Sequence, residues 1–185
     1  PFSTLMLAST ALMLAIAPAK AGTFVFDRDD VGGKVDVGDH ANITTTYNTD
    51  TEVLTWSSTF RRNPAGSNRL ADGGWLVISH GDIPSMDENE YAIFYLDGTT
   101  DQVLAYNYDG EVNERSYQNE SFLDSTTLQM IENGPDERTF AFTFDAKGIN
   151  SRTDLGSKWK GVGFDEEIGI WFHGVDELTT TYKAD

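Results

Sequence analysis

Five aspartates, Asp27, Asp29, Asp30, Asp36 and Asp39, fall within one short glycine-containing stretch, DRDDVGGKVDVGD. Hard cations such as calcium take several oxygen ligands from flexible loops. This stretch is therefore the candidate metal site, and calcium the candidate ion. The spacing is not that of an EF-hand, which needs acidic residues at alternate positions, a central glycine and a closing glutamate. A solvated acidic loop is the alternative. Asp87, Glu88 and Glu90 form a second acidic group open to the same two readings.

Glu88 and Glu90 also raise the question of glycoside hydrolysis. Alternate residues of a strand share a face, and a retaining mechanism needs two carboxyl groups about 5 Å apart. Sandwich-type glucanases carry a further glutamate two or three positions on, where this chain has Ala92 and Ile93. The acid/base set is incomplete, so no catalytic residue is assigned. His40, His80 and His173 show no paired spacing. His80 and His173 both fall at strand ends, which leaves a shared metal site to consider, but zinc would want a third ligand. No phosphate-binding glycine loop and no nucleophile elbow is present.

Carbohydrate binding draws on a different set. Sugar rings stack on exposed aromatic faces, and Trp75, Tyr106, Tyr108 and Trp171 are the candidate residues, with Tyr91 and Tyr95 nearby in sequence. If Leu104 faces outward with Tyr106 and Tyr108, an aromatic strip crosses one sheet. The competing use is the core, since aromatic side chains dominate buried surfaces.

The elements that would position these groups are strands. Residues 74–110 hold three short apolar runs, WLVI, YAIFYL and VLAYNY, separated by turn-like breaks. Such runs, bounded by glycine and proline and rich in aromatic and β-branched residues, are strands. Asp97-Gly98 predicts a hairpin in which the glycine takes positive φ. In residues 52–62, Leu54, Trp56, Ser58 and Phe60 alternate with polar neighbours, the pattern of a half-buried strand. Phe140, Phe142 and Phe144 alternate in the same way. Further strands are expected at 22–26, 34–37, 43–47, 126–131, 167–173 and 178–182, with one helical turn near 145–150. Asn133-Gly134-Pro135-Asp136 is turn chemistry. About ten strands at regular spacing predict an all-β fold, a two-sheet antiparallel β-sandwich of jelly-roll or lectin-like type. No internal repeat is evident in the sequence.

The chain has 185 residues, no cysteine and a net charge of −17. That charge repels nucleic acid and anionic membranes. Residues 5–17 are an apolar run followed by Ala19-Lys20-Ala21, the apolar region and cleavage site of a secretory signal peptide. The run is too short to span a bilayer. Residues 1–21 are therefore expected to be a leader, with one sandwich domain over 22–185 and no membrane insertion after cleavage. A chain opening on Pro1 and stopping at Asp185 reads as cut at its start and, without a closing linker, at its end. An exported protein without cysteine has no disulfide framework, which fits a bacterial envelope or extracellular setting.

Three stretches carry a family resemblance: LADGGWLVISHGD (70–82), YAIFYLD (91–97) and LAYNY (104–108), continued by IGIWFH (168–173) and the threonine-rich 179–182. Together they resemble a domain of exported Gram-negative bacterial proteins of the PEP-CTERM class. The likeness covers residues 52–182 and rests on strand sequences, without the sorting tail of that class. It implies an extracellular or biofilm-matrix setting and no particular activity. The reading is thus a secreted, non-catalytic surface or matrix protein acting by binding or adhesion, with polysaccharide or cell-surface matrix as partner. The alternatives are a concanavalin-like glycoside hydrolase or lyase, and a purely structural matrix protein.

Overall fold

The computed structural model describes residues 22–29, 39–62, 70–80, 92–107, 122–157, 159, 161–163 and 168–175, with side chains for all but 28–29, 39–40, 79–80 and 168–175. They form a two-sheet antiparallel β-sandwich of ten strands. Sheet A runs in the order β1 (Thr23–Asp29), β2 (Asp39–Asn48), β3 (Val53–Arg61), β9 (Glu137–Asp145) and β8 (Gln129–Glu132). Sheet B runs β10 (Ile168–Val175), β4 (Gly73–His80), β5 (Ala92–Asp97), β6 (Gln102–Asn107) and β7 (Phe122–Thr127). A single turn of helix, α1 (Lys147–Asn150), follows β9. Among the described residues no helix is long and apolar enough to cross a membrane.

The period-two patterns place the core. Leu54, Trp56, Ser58 and Phe60 of β3, and Phe140, Phe142 and Phe144 of β9, are all buried on one face of sheet A. They meet Leu76, Ile78, Phe94, Leu96, Val103 and Ala105 of sheet B. Phe94 is the joint between sheets: its ring lies edge-on to Phe144 at 5.1 Å and tilted against Phe142 at 5.7 Å. Offset and edge-on aromatic pairs stabilise by about 1 kcal/mol beyond their burial. The buried hydroxyls are satisfied by strand carbonyls, Thr45 donating to Thr55 O and Ser58 to Asn42 O.

The outer faces of the two sheets differ. Sheet A turns Thr44, Thr46, Thr55, Thr59, Thr139 and Thr143 outward, with Thr55 and Thr143 exposed. In sheet B the residues alternating with the core set are Trp75, Val77, Ile93 and Tyr95, and they too are buried. Strands β4 and β5 are therefore buried on both faces, which explains why they read as continuous apolar runs.

The chain crosses from sheet B to sheet A at one residue. Where the sequence predicts a single strand over 126–131, Leu128 is a buried corner between β7 and β8. Strands that change sheets at a bend are a known way of closing a sandwich edge. A second tie is Arg138 of β9. It donates through Nη1 to Ala71 O and Asp72 Oδ1, and through Nε to Glu132 Oε1, each at 2.6 Å.

Two hairpins repeat one backbone plan. In the β2–β3 loop, Asn48 Oδ1 accepts from the N–H groups of Asp50 and Thr51, and Glu52 has φ 57°. In the β5–β6 loop, Asp97 Oδ1 accepts from Thr99 and Thr100, and Asp101 has φ 56°. The surrounding bonds match as well. Thr49 N donates to Gly22 O and Gly98 N to Asp72 O, just before β1 and β4; Ala146 N donates to Glu52 O and Leu128 N to Asp101 O, just after β9 and β7. Thus β1-β2-β3-β9 and β4-β5-β6-β7 are equivalent four-strand units. An Asn or Asp side chain that mimics a turn carbonyl is the shared device.

The Asp97-Gly98 hairpin is present, for a different reason than expected. Gly98 is not at positive φ; that role falls to Asp101. A Cβ on Gly98 would run into the Asp72 carbonyl oxygen. The glycine is there for close backbone approach.

The expected strands at 34–37 and 178–182 lie outside the described residues, as do the leader at 1–21 and the acidic group Asp87, Glu88 and Glu90.

Candidate functional site

The outer face of sheet B ends, at β6 and β7, in an accessible aromatic pair. Cross-strand pairing puts Tyr95, Leu104 and Ser125 in one row and Ile93, Tyr106 and Phe122 in the next. Trp75 opens the first row opposite Tyr95. Along each row the face passes from buried to open. Trp75 is 1% exposed and Ile93 2%, Tyr106 is half-buried, and Phe122 is 51% exposed. The Tyr106 and Phe122 rings meet edge to face, centroids 5.7 Å apart. Partial burial raises the Tyr106 phenol above its ordinary value, so it stays a neutral hydroxyl at physiological pH.

A β-bulge beneath this pair sets Phe122 apart. Tyr106 pairs with Phe122 and Ala105 with Asp124, leaving Leu123 as the extra residue. Bulges re-aim side chains at sheet edges. Leu123 packs on the core while Phe122 stands on the surface.

Arg152, in the loop after α1, reaches the same edge. Its Nη1 donates to Phe122 O at 3.4 Å, and Nε and Nη2 form a fork with Asp154 at 2.9 and 2.6 Å. The guanidinium holds Asp154 at about 2, well below the usual carboxylate range. Asp154 is therefore an acceptor near neutrality and not a proton donor. An apolar ring platform beside a fixed acceptor and planar donor can stack on a sugar ring and take its hydroxyl bonds.

The loop that carries Arg152 is anchored at Asn150. Asn150 Nδ2 donates to Glu52 Oε2 at 2.8 Å, Val162 O at 2.9 Å and Tyr47 OH at 3.3 Å, and its Oδ1 accepts from Val162 N at 2.7 Å. Trp159 Nε1 donates to Ile149 O. One amide thus fastens the 151–162 loop to the β2–β3 turn.

The carbohydrate residues named from sequence separate. Tyr106 is on the accessible pair, and Leu104 shares its face, as the strip required. Trp75 is a correction: its ring is packed at 1% exposure and presents no surface to a ligand. Burial of the outer faces of β4 and β5, unforeseen in the sequence, is the reason. Trp171 occupies a backbone position in β10 opposite Val77, and Tyr108 lies outside the described residues, as does Tyr91.

The aspartates separate too. Asp27 is exposed on β1 and accepts from the Thr44 hydroxyl across the strand pair at 2.5 Å. Asp29 ends β1 opposite Asn42, and Asp39 opens β2. Asp27 pairs with Thr44, five positions from Asp39, or roughly 17 Å of strand. That is beyond one ion's ligand shell, so Asp27 and Asp39 do not share a site. Asp30 and Asp36 lie outside the described residues. Among the described residues no group of three His, Asp or Glu side chains is placed to hold a metal. Strand register also separates His80, paired with Ile168, from His173, paired with Trp75. Five positions of β4 lie between them, roughly 17 Å, too far for joint ligation.

Sequence reasoning missed Phe122, Arg152 and Asp154. Phe122-Leu123 stands in a polar tract, and the strand was expected to start only at Thr126. The apolar pair was the available signal.

Fold and face together define an all-β sandwich with an aromatic patch at one edge. No protein-family model, no curated protein and no solved structure matches this chain.

Proposed function

We propose that this chain is an exported, non-catalytic binding or adhesion protein of a Gram-negative bacterial surface or matrix, with polysaccharide as its ligand. The Tyr106–Phe122 pair carries this reading: an exposed phenyl ring over a half-buried phenol, beside the Arg152–Asp154 fork. Export rests on the apolar run and cleavage pattern of residues 5–21, and the setting on the resemblance to PEP-CTERM-class proteins. The net charge of −17 favours neutral glycans over anionic ones. Calcium, held by the acidic stretch from Asp29 to Asp39, is the proposed ion.

The test is a glycan array probed with residues 22–185 and with the Phe122→Ala variant, each in calcium and in chelator. Binding that Phe122→Ala weakens at least about tenfold, a loss of roughly 1.4 kcal/mol, supports the platform. Loss in chelator alone assigns an ion to the same function. Absence of binding in every condition would sink the reading and favour a purely structural matrix role.

A further inference from the structure

We propose that Asn133 is a site of spontaneous covalent modification, its side-chain amide passing through a succinimide to aspartate and isoaspartate. Asn133-Gly134 is the only Asn-Gly pair in the chain. In the reaction the Gly134 backbone nitrogen attacks Asn133 Cγ. The new N–Cγ bond replaces Cγ–Nδ2, and ammonia leaves with the proton of the Gly134 amide. Water then opens the ring at either carbonyl.

The β8–β9 turn is arranged to permit this. Asn133, Gly134, Pro135 and Asp136 are all exposed. Gly134 has φ 110°, and nothing lies within 4 Å of where its Cβ would be, so a ring and an attacking water both have room. Its amide makes no hydrogen bond among the described residues. The far side of the turn is pinned instead by Arg62, whose guanidinium donates to Pro135 O and whose backbone N–H donates to Asp136 O at 2.7 Å. The Asn133 side chain is held by one exposed bond, Nδ2 to Thr139 Oγ1 at 2.7 Å, which the reaction must release.

Three described sites of related chemistry are closed. Asn48 Oδ1 accepts two backbone N–H groups, and Asn150 is bonded at both ends of its amide. At Asp97-Gly98, the Gly98 nitrogen donates to Asp72 O and the carboxylate is tied to Thr99 and Thr100. The product at 133 would add a carboxylate between Glu132 and Asp136. An isoaspartate would also lengthen the backbone where Asn133 N closes the hairpin onto Glu137 O.

The experiment is incubation of the full chain at mildly alkaline pH, folded and in urea, followed by peptide mapping and isoaspartate labelling, with Asn133→Gln as the control. The expected result is conversion at residue 133 in the folded protein, several-fold faster than at any other asparagine and near the rate in urea. Labelling should vanish from that peptide in Asn133→Gln. Conversion in urea but not in the folded chain would overturn the proposal, because the Thr139 bond would then be protective. Faster conversion of another asparagine in the folded chain, or no conversion in either state, would overturn it equally.

Discussion

Glu52 and Asp101 hold the same left-handed backbone, φ 57° and 56°, each at the last position of a four-residue hairpin loop. They differ in what the side chain does. Glu52 accepts from Asn150 Nδ2, whereas the Asp101 side chain is exposed. Left-handed backbone costs a non-glycine residue about 1 kcal/mol. Asp101→Gly is expected to stabilise the protein by about 0.5–1 kcal/mol. Glu52→Gly should give no gain, because relief of the backbone is offset by the lost Asn150 bond. Urea melts of the two variants beside the parent decide it; equal gains would mean that the Glu52–Asn150 bond contributes nothing.

Gly98 should tolerate no side chain. A Cβ there would overlap the Asp72 carbonyl oxygen and come within 3.1 Å of Met130 Sδ. Backbone cannot yield as a flexible side chain can. Gly98→Ala is expected to cost about 1–3 kcal/mol, as overpacking does. Gly148→Ala, where nothing lies within 4 Å, should be neutral or better. Thermal melts of both variants test the contrast.

Asn150 is expected to be worth more than its one side chain suggests. Asn150→Ala strands the Val162 amide and removes the donor to Glu52, a loss of about 2–3 kcal/mol. Asn150→Asp keeps the shape but sets a carboxyl against Glu52. Its folded pKa would be raised, so the variant's stability should fall as pH rises through that value. Melts of Asn150→Asp at several pH values check the sign; a flat profile would contradict the geometry.

The parent protein should lose stability at both pH extremes for identifiable reasons. At Asp97, burial pushes the pKa up, but hydrogen bonds from Thr99 and Thr100 outweigh it and bring it below 3.8. Asp154 is held at about 2 by Arg152. Groups with depressed pKa stabilise above their unfolded value and lose that contribution as pH falls through the folded one. Between pH 3.8 and about 2 the melting temperature should therefore drop. Tyr47 moves the other way, raised above 10.0 by burial and by Glu52 despite the Asn150 bond. Its contribution is present below pH 10.0 and lost above it. Tyr47→Phe should make the alkaline limb shallower, leaving the share due to Tyr106, which burial also raises, and should leave the acid limb alone; a change in the acid limb would count against the assignment.

Much of the fold was legible because the signals were local. Phe140, Phe142 and Phe144 alternate, and so do Leu54, Trp56 and Phe60; period two has one structural meaning. The helical turn at 147–150 was legible from the break after Asp145. What was not legible depends on contacts distant in sequence. Leu128 reads as mid-strand because nothing nearby marks it as a corner. Trp75 reads as a ligand platform because its own strand cannot show that the outer faces of β4 and β5 are buried. Gly98 reads as a turn glycine because Asp72, which excludes its side chain, is 26 residues away. The repeated four-strand unit is invisible for a related reason. It resides in backbone N–H groups that the Asn48 and Asp97 side chains accept from alike, while the side chains around them differ. Phe122 was missed because its bulge is a property of the pairing with Tyr106, not of the tract around it.

That repeated unit means the molecule carries its own control. Whatever follows from the turn plan alone must appear in both halves when Asn48 and Asp97 are altered in parallel. Whatever appears in one half only must come from what the strands carry outward: threonines on one sheet, buried aromatic and branched side chains on the other. A single chain can thus be dissected against itself, scaffold in one comparison and function in the other.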